Sequence, residues 1–104
     1  MATTVHLSLP TSQLRPGDIV LEFGMRVRLP EQEPRTWKGF QGRTVYAWKG
    51  QVENLDEVLA EGLVPRAFLC EDRWDGGRWV CELTGAWTVQ GNDLAIYAVE
   101  RAAE

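Results

Sequence analysis

The chain lacks a long apolar run, and this absence narrows what it can be. No stretch of its 104 residues approaches the roughly 18 consecutive apolar residues that a membrane-spanning helix needs. The opening segment, MATTVHLSLP, has neither the basic region nor the continuous apolar region of a signal peptide. We therefore expect a cytoplasmic protein, with a bacterial cytoplasm as its setting.

Metal-ligating and catalytic residue types are also scarce. One histidine, His6, and two cysteines, Cys70 and Cys81, fall short of the four ligands of a structural zinc site. No nucleophile stands in a recognisable pattern with a base, and no glycine-rich phosphate loop is present. The sequence therefore predicts no metal, no cofactor and no enzymatic activity.

Positive charge is in the minority, with 11 basic against 15 acidic residues and a formal net charge of −4. This balance disfavours general nucleic-acid binding, which depends on neutralising phosphates. The 44% hydrophobic and 25% charged residues are typical of an ordinary globular chain. We expect one domain over residues 1–104 with a tail at 102–104.

Tryptophan is the one residue type whose abundance is unusual, with five in the chain. In so small a domain the first interpretation of each is core filling, because an indole ring buries a large apolar area. The alternative is a binding surface, where tryptophan is over-represented.

Period-two patterns predict several short strands. Val5 to Pro10 alternates apolar and polar residues, and Arg43 to Gly50 is rich in β-branched and aromatic residues. Between them, the segment Ile19 to Leu29 favours a hairpin that turns at Phe23-Gly24, with one strand kinked at Gly24 as the alternative. Pro-Gly at 16–17 indicates a turn before it.

The segment Pro30 to Gly42 is predicted to be a long loop, because it holds prolines, glycines and mixed charge. It carries Trp37 and Phe40 beside Arg35 and Lys38. We expect the two rings to fold back over the open end of the core, with exposure for a partner as the alternative.

One short helix is predicted over Leu55 to Glu61. Asn54 and Glu57 have capping-box spacing, and Leu55, Val58 and Leu59 share a face. Gly62 suits the left-handed position after the last turn, where a Schellman motif would place Leu63 near Val58.

The stretch from Arg66 to Leu83 predicts a second hairpin with a two-residue turn at Asp75-Gly76. The opposite pairs are then Phe68 with Leu83, Cys70 with Cys81, and Asp72 with Trp79. The apolar members fall on one face, which we expect to be buried, and a one-residue shift would break that pattern. The other face would set Arg73 opposite Arg78, a like-charge pair needing solvent or an acidic partner.

The closing stretch, AWTVQGNDLAIYAVER, predicts a third hairpin that turns at Gly91-Asn92. It would pair Val89 with Leu94 and Trp87 with Ile96. Both of its faces are fairly apolar, so we expect it to lie centrally in a sheet or to be packed on both sides.

About seven short strands at near-regular spacing with one helix predict a mainly β fold, α+β by strict count. We expect a small SH3-like or OB-like barrel, or a strongly bent antiparallel sheet with the helix near 55–61 over one end. The predicted Cys70–Cys81 juxtaposition could accept a disulfide, but in a cytoplasmic chain we expect free thiols.

Two binding classes remain after this elimination. Protein binding is favoured, either to a host factor or to a second copy, and the candidate residues are Arg35, Trp37, Lys38, Phe40, Arg73 and Arg78. The alternative is a small barrel that binds single-stranded nucleic acid, because cations and aromatic rings alternate along the chain.

Three segments, LRPGDIVLEFGMRVRL, GQVENLDEVLAEGLVPRAFL and AWTVQGNDLAIYAVER, together resemble small uncharacterised accessory proteins of tailed phages that infect actinobacteria. The resemblance covers most of Leu14 to Arg101, except the segment Pro30 to Gly42. It implies a phage accessory protein made in the host cytoplasm, and it assigns no catalytic or binding residue.

Overall fold

The computed structural model describes residues 3–103, which fold into a mainly β, antiparallel structure with one α-helix. Within that range there are nine strands: β1 Thr4–Pro10, β2 Ile19–Glu22, β3 Met25–Arg28, β4 Arg35–Lys38, β5 Thr44–Val52, β6 Cys70–Asp75, β7 Arg78–Leu83, β8 Ala86–Asn92 and β9 Ile96–Ala102. The helix, α1, is Leu55–Glu61. The prediction of a mainly β fold with one helix is confirmed.

The main sheet has the order β1-β9-β2-β3-β5, and β5 then carries β4 and β8 on opposite edges. Strands β1 and β8 do not pair, so among the described strands the sheet does not close into a barrel. The SH3-like or OB-like barrel is therefore not observed, and the main sheet is open and antiparallel. Residues of the main sheet, α1 and the segments that connect the elements share one apolar cluster: Leu14, Val20, Met25, Val27, Leu29, Trp48, Val52, Val58, Val64, Leu69, Val89 and Val99.

The β2–β3 hairpin forms as predicted, and its two turn residues are Phe23 and Gly24. Both have positive φ, 52° and 78°, as a type I′ turn requires. Such a turn follows the right-handed twist of the strands, but it is costly for a residue with a bulky side chain.

Helix α1 has the predicted bounds, and its C-terminus forms the predicted Schellman motif. Gly62 is left-handed, and the Leu63 amide donates to the Val58 carbonyl at 3.1 Å. The predicted cap at the other end is wrong. The Asn54 side chain makes no capping bond; instead it accepts from the Arg26 amide at 2.9 Å and donates to the Gly24 carbonyl at 3.0 Å, which ties the helix start to the β2–β3 hairpin.

The segment Pro30 to Gly42 is not a plain loop. It contains β4, which pairs with the first half of β5, and a short 3-10 turn at Phe40–Gly42. The polar and aromatic residues of β4 form a strand because edge positions tolerate charged side chains. Phe40 is 86% exposed and Trp37 38%, so the prediction that both rings cover the core is wrong.

The β6–β7 hairpin forms a separate two-stranded sheet, which we call the arm (Cys70–Leu83). Its turn is Gly76-Gly77, one residue later than predicted, and Trp74 therefore faces Trp79. Phe68, Trp74 and Trp79 are more than half exposed, so the predicted burial of this hairpin is wrong. The strands of the arm do not pair with the main sheet, and the radius of gyration, 15.2 Å, exceeds the value of about 13 Å expected for a compact chain of this length.

The predicted hairpin between β8 and β9 does not form. Strand β8 pairs with β5, whereas β9 lies between β1 and β2. The chain turns at Asn92, whose carbonyl accepts from the Ala95 amide at 3.1 Å and whose side chain accepts from the Leu94 amide at 2.9 Å. Pairing with the long strand β5 outcompetes the local hairpin, and the two strands bury Val89 and Val99 in the same core.

Only Trp48 of the five tryptophans is fully buried, with 2% of its surface exposed. Trp87 packs partly against the core, while Trp37, Trp74 and Trp79 are exposed. Core filling is therefore wrong as a general interpretation of these residues. Three of the rings lie on surface elements outside the main core.

Candidate functional site

The predicted residues on β4 separate onto its two faces. Arg35 and Trp37 share one face, and the Arg35 guanidinium lies 5.6 Å from the centre of the Trp37 ring, a cation–π contact. Lys38 points to the opposite face, because side chains alternate along a strand, and its Nζ donates to Thr44 Oγ1 at 2.9 Å. Phe40 extends from the following turn. The structure thus brings together Arg35 and Trp37 but not Lys38.

Arg73 and Arg78 lie on the polar face of the arm, and they are not opposite each other. Arg73 faces Val80, while Arg78 faces Asp75. The Arg73 Nε donates to Glu82 Oε2 at 2.9 Å, and its Nη1 lies 3.8 Å from Asp75 Oδ1. The predicted like-charge pair is therefore wrong, and the register has given Arg73 acidic partners.

Lys49 on β5 lies between Arg35 of β4 and the polar face of the arm. It lines a surface cavity of about 230 Å³ together with Arg35, Ala47 and Thr88. Its Nζ also lies 2.9 Å from Glu71 Oε2 on the arm. This contact holds the pKa of Glu71 below its ordinary value, chiefly through the hydrogen bond from Lys49. The positive charge beside Arg35 is thus partly neutralised by the arm itself.

A groove that the sequence analysis missed lies between the β2–β3 hairpin and the base of the arm. Its volume is about 170 Å³, and its lining is almost wholly apolar. It is lined by Phe23, Leu63, Val64, Pro65, Phe68 and Trp87. We call this surface the apolar groove.

Two rings form one wall of the apolar groove. Phe23 and Trp87 meet edge to face, with ring centroids 6.1 Å apart and planes at 72°. The Trp87 indole nitrogen donates to Glu22 Oε2 at 3.0 Å, which fixes the plane of the ring. Phe23 is 66% exposed, so the wall ends in a protruding aromatic ring.

The opposite wall comes from the segment after α1. Leu63 and Phe68 are both exposed; Leu63 follows the C-cap of α1, and Phe68 lies in the 3-10 helix Arg66–Leu69. Leu63 packs against the turn of the β2–β3 hairpin, since a Cβ at Gly24 would lie 2.7 Å from its Cδ1. Gly24 therefore allows the two walls to approach each other. One feature of the sequence indicates the apolar groove: Phe23 occupies a turn position that favours Asn, Asp or Gly.

The two cysteines are free and lie on one face of the arm, although not directly opposite each other. Cys70 faces Leu83 and Cys81 faces Asp72, so the thiols are diagonal neighbours. A hydrogen bond with the Cys70 thiol is the main reason that the pKa of Cys81 is raised. The Cys70 thiol also donates to the Arg66 carbonyl, with sulfur and oxygen 3.3 Å apart.

Within residues 3–103, no three or more His, Cys, Asp or Glu side chains cluster where they could hold a metal ion. In the same range, no helix is long and apolar enough to cross a membrane. Comparison with protein-family models, with curated proteins and with solved structures gives no match to this chain.

Proposed function

We propose that this domain is a non-enzymatic protein-binding module that receives an apolar side chain of a partner protein in the apolar groove. The observation that carries the proposal is the position of Phe23 at the rim. It is a large aromatic residue in the left-handed region, at a turn where small or polar residues are favoured. Backbone strain of this kind concentrates at functional sites.

The exposed apolar area supports the same conclusion. Phe23, Leu63 and Phe68 are each at least 40% exposed and line one groove with almost no polar lining. Scattered apolar residues are ordinary on a protein surface, whereas contiguous ones mark interaction sites. Three rings around a concave apolar floor resemble the pockets that hold a partner's anchor residue.

The biological setting is part of the proposal. Following its resemblance to tailed-phage accessory proteins, we propose that the chain acts in the cytoplasm of an actinobacterial host and that its partner is a host protein. The cation–π pair of Arg35 and Trp37 would then form a second contact region, separate from Lys38 on the opposite face of β4 and from Arg73 and Arg78 on the arm.

The test is affinity capture from host lysate with three matched variants. Phe23→Asn and Phe68→Ala alter the two walls of the groove, whereas Phe40→Ala removes another exposed ring that lies elsewhere. We expect the groove variants to lose a protein that the wild type and Phe40→Ala both retain. If only Phe40→Ala failed to capture the protein, the binding site would lie on the β4 surface and not in the groove. Equal recovery of the protein by all variants would refute the proposal.

A second candidate function is binding of single-stranded nucleic acid. Arg35 stacked on Trp37 offers a ring and a cation side by side, and Arg35 and Lys49 line a common cavity. Against it, Lys49 is paired with Glu71 and Arg43 with Asp93. Fluorescence titration with an oligonucleotide at two salt concentrations tests this function, because binding to nucleic acid must weaken steeply as the salt concentration rises.

A further inference from the structure

The outer edge of β7 is open. Strand β7 pairs only with β6, and in residues 3–103 no other strand lies along its second edge. The two-residue turn makes Asp75 and Arg78 a hydrogen-bonded pair. Hydrogen-bonded and non-hydrogen-bonded pairs then alternate along the hairpin, so the backbone groups of Trp79 and Cys81 point outward. These unpaired donors and acceptors can accept another strand.

Strand β7 lacks the features that usually protect such an edge. Its sequence, RWVCEL, contains no proline and no lysine, and all six of its residues pair with β6 without any bulge. An isolated two-stranded sheet is only marginally stable, and three or more strands are needed for an independent one. The arm therefore gains stability from any strand that extends it.

The charges on β7 are complementary to those of a second copy of the same strand. In an antiparallel pair related by a two-fold axis, facing residues must lie on the same side of the sheet. If the axis passes through Val80, Arg78 of each copy faces Glu82 of the other, and Trp79 faces Cys81. Opposite charges at facing positions stabilise strand pairs.

The neighbouring registers lack this match. An axis through Cys81 sets Val80 against Glu82, and an axis through Trp79 sets Arg78 against Val80. Pairing through β6 sets like charges against each other: an axis through Arg73 pairs that arginine with itself and Glu71 with Asp75, and an axis through Asp72 pairs that aspartate with itself. Like charges at facing positions destabilise a strand pair. The pattern therefore favours one strand and one register.

Arg78 and Glu82 are both available for these contacts. Within residues 3–103, Arg78 has no acidic side chain within 4.0 Å, and it is exposed. Glu82 is bonded to Arg73 through Oε2 and is half exposed. A carboxylate has about four acceptor positions, so a second arginine can bind it.

We propose that two copies of this chain associate through β7, antiparallel and centred on Val80, to form one four-stranded sheet from two arms. The apolar faces then join, which places Trp74 and Trp79 of both copies on one side. An interface limited to two arms falls below the roughly 1,200–2,000 Å² of stable complexes, so this is a weak dimer. The inference is independent of the proposed function, because the apolar groove takes no part in it.

Cysteine cross-linking tests the register. In a Cys70→Ser/Cys81→Ser background, Val80→Cys places two thiols at a non-hydrogen-bonded pair, where the Cα atoms are about 4.5 Å apart and can be bridged by a disulfide. Oxidised glutathione supplies the oxidant: the two thiols lose two protons and two electrons, and the glutathione disulfide is reduced to two thiols. We expect a covalent dimer.

The matched control is Arg73→Cys in the same background, which faces Val80 but lies on β6. We expect it to remain monomeric under the same oxidation. Equal cross-linking of both variants, or none by Val80→Cys, would overturn the proposal. Faster cross-linking of wild-type chains through Cys81 than of Val80→Cys would overturn the register centred on Val80, because in that register the two Cys81 residues are only diagonal neighbours.

Charge exchange tests the contacts without new cysteines. By sedimentation at concentrations up to about 1 mM, we expect Arg78→Glu and Glu82→Arg each to weaken dimerisation at least tenfold. The double variant R78E/E82R restores both pairs and should return the dissociation constant to within about threefold of wild type. Failure of the double variant to recover, or a wild type that remains monomeric throughout, would contradict the proposal.

Phe23→Asn separates this proposal from the proposed function. It alters the apolar groove and leaves the arm intact. We expect this variant to dimerise like the wild type, even where it no longer captures a partner. Loss of dimerisation in Phe23→Asn would mean that the groove, and not β7, holds the two copies together.

Discussion

Trp74 and Trp79 face each other across the arm, with ring centroids 5.4 Å apart and ring planes at 71°. This edge-to-face pair stabilises the hairpin beside its Gly76-Gly77 turn. The same register sets Asp75 opposite Arg78, a pair of opposite charges. At the base of the arm, the Leu69 carbonyl accepts from the amides of Thr84 and Gly85 at 3.1 and 2.9 Å, which fixes the strands at that end.

The register can be trapped by a disulfide. Asp72 faces Cys81 at a non-hydrogen-bonded pair, so a Cys70→Ser/Asp72→Cys variant should form an intramolecular disulfide rapidly with oxidised glutathione. Mass spectrometry would show the loss of two hydrogens without a glutathione adduct. In the wild type, the diagonal thiols should react more slowly, because their Cα atoms are about 7–8 Å apart. Equal rates would mean that Cys70 faces Cys81.

Two tryptophans of the same size should differ in their contributions to stability. Trp48→Ala removes a ring that is 2% exposed, and we expect it to lower the free energy of unfolding by about 3–5 kcal/mol. Trp79→Ala removes a ring that is 68% exposed, and we expect a loss of about 1 kcal/mol or less. Urea denaturation measures both. Similar losses would show that the arm packs into the core.

Glu100 should make the fold sensitive to acid. The hydrogen bond from Arg26, at 2.8 Å, holds the pKa of Glu100 below its ordinary value of 4.5. The unfolded chain therefore binds more protons in this range, and the stability contributed by the pair is lost as pH falls from about 4.5 through the lower folded value. Denaturation at several pH values should show this loss in wild type and a smaller one in Glu100→Gln. An identical acid dependence in the two proteins would contradict it.

The ion pair of Asp18 and Arg101 should matter far more than an exposed pair. Asp18 is 3% exposed, and it accepts two hydrogen bonds from Arg101 at 2.8 Å. Asp18→Ala leaves the arginine unpaired, so we expect a loss on the order of 3–5 kcal/mol. The matched control is Asp93→Ala, which breaks an exposed pair with Arg43 and should cost about 1 kcal/mol or less. Thermal denaturation would show the difference, and equal costs would contradict it.

Phe23→Asn should preserve or increase stability while it alters the apolar groove. Asparagine tolerates the left-handed backbone, whereas a phenylalanine there costs on the order of 1 kcal/mol. The lost edge contact with Trp87 offsets part of this gain. We expect a free energy of unfolding within about 1 kcal/mol of wild type or above it. A large loss would show that Phe23 serves the fold and not a partner.

Local features were predictable because they depend on neighbouring residues. Helix α1 follows from one apolar face and from Gly62, which takes the left-handed conformation at its end. The β2–β3 hairpin follows from two short apolar strands around Gly24. In both, hydrogen bonds join residues close in sequence, so pattern and turn chemistry are sufficient. The Asn54 cap failed for the opposite reason, since its side chain bonds to a hairpin some 30 residues away.

The arm shows why a correct pattern can give a wrong register. A shift of one residue in the pairing exchanges the two faces of a strand. The alternation of apolar and polar residues in the arm excluded such a shift. The observed pairing differs from the predicted one by two residues, which leaves every side chain on its predicted face. The faces of Cys70 and Trp79 were therefore assigned correctly, but their opposite partners were not. The burial of the arm did not follow from this pattern. The edge of β5 is paired with β8, and the arm forms a separate sheet that remains exposed.

The sequence by itself determined the mainly β class, the helix and the first hairpin, all of which rest on short-range periodicity and turns. Tertiary structure alone decided the partners of β8 and β9, because β8 pairs with β5 and β9 lies between β1 and β2 where both strands contribute to one core. Tertiary structure also formed the apolar groove. Phe23, Leu63, Phe68 and Trp87 come from four separate segments, and a surface assembled by folding has no period along the chain.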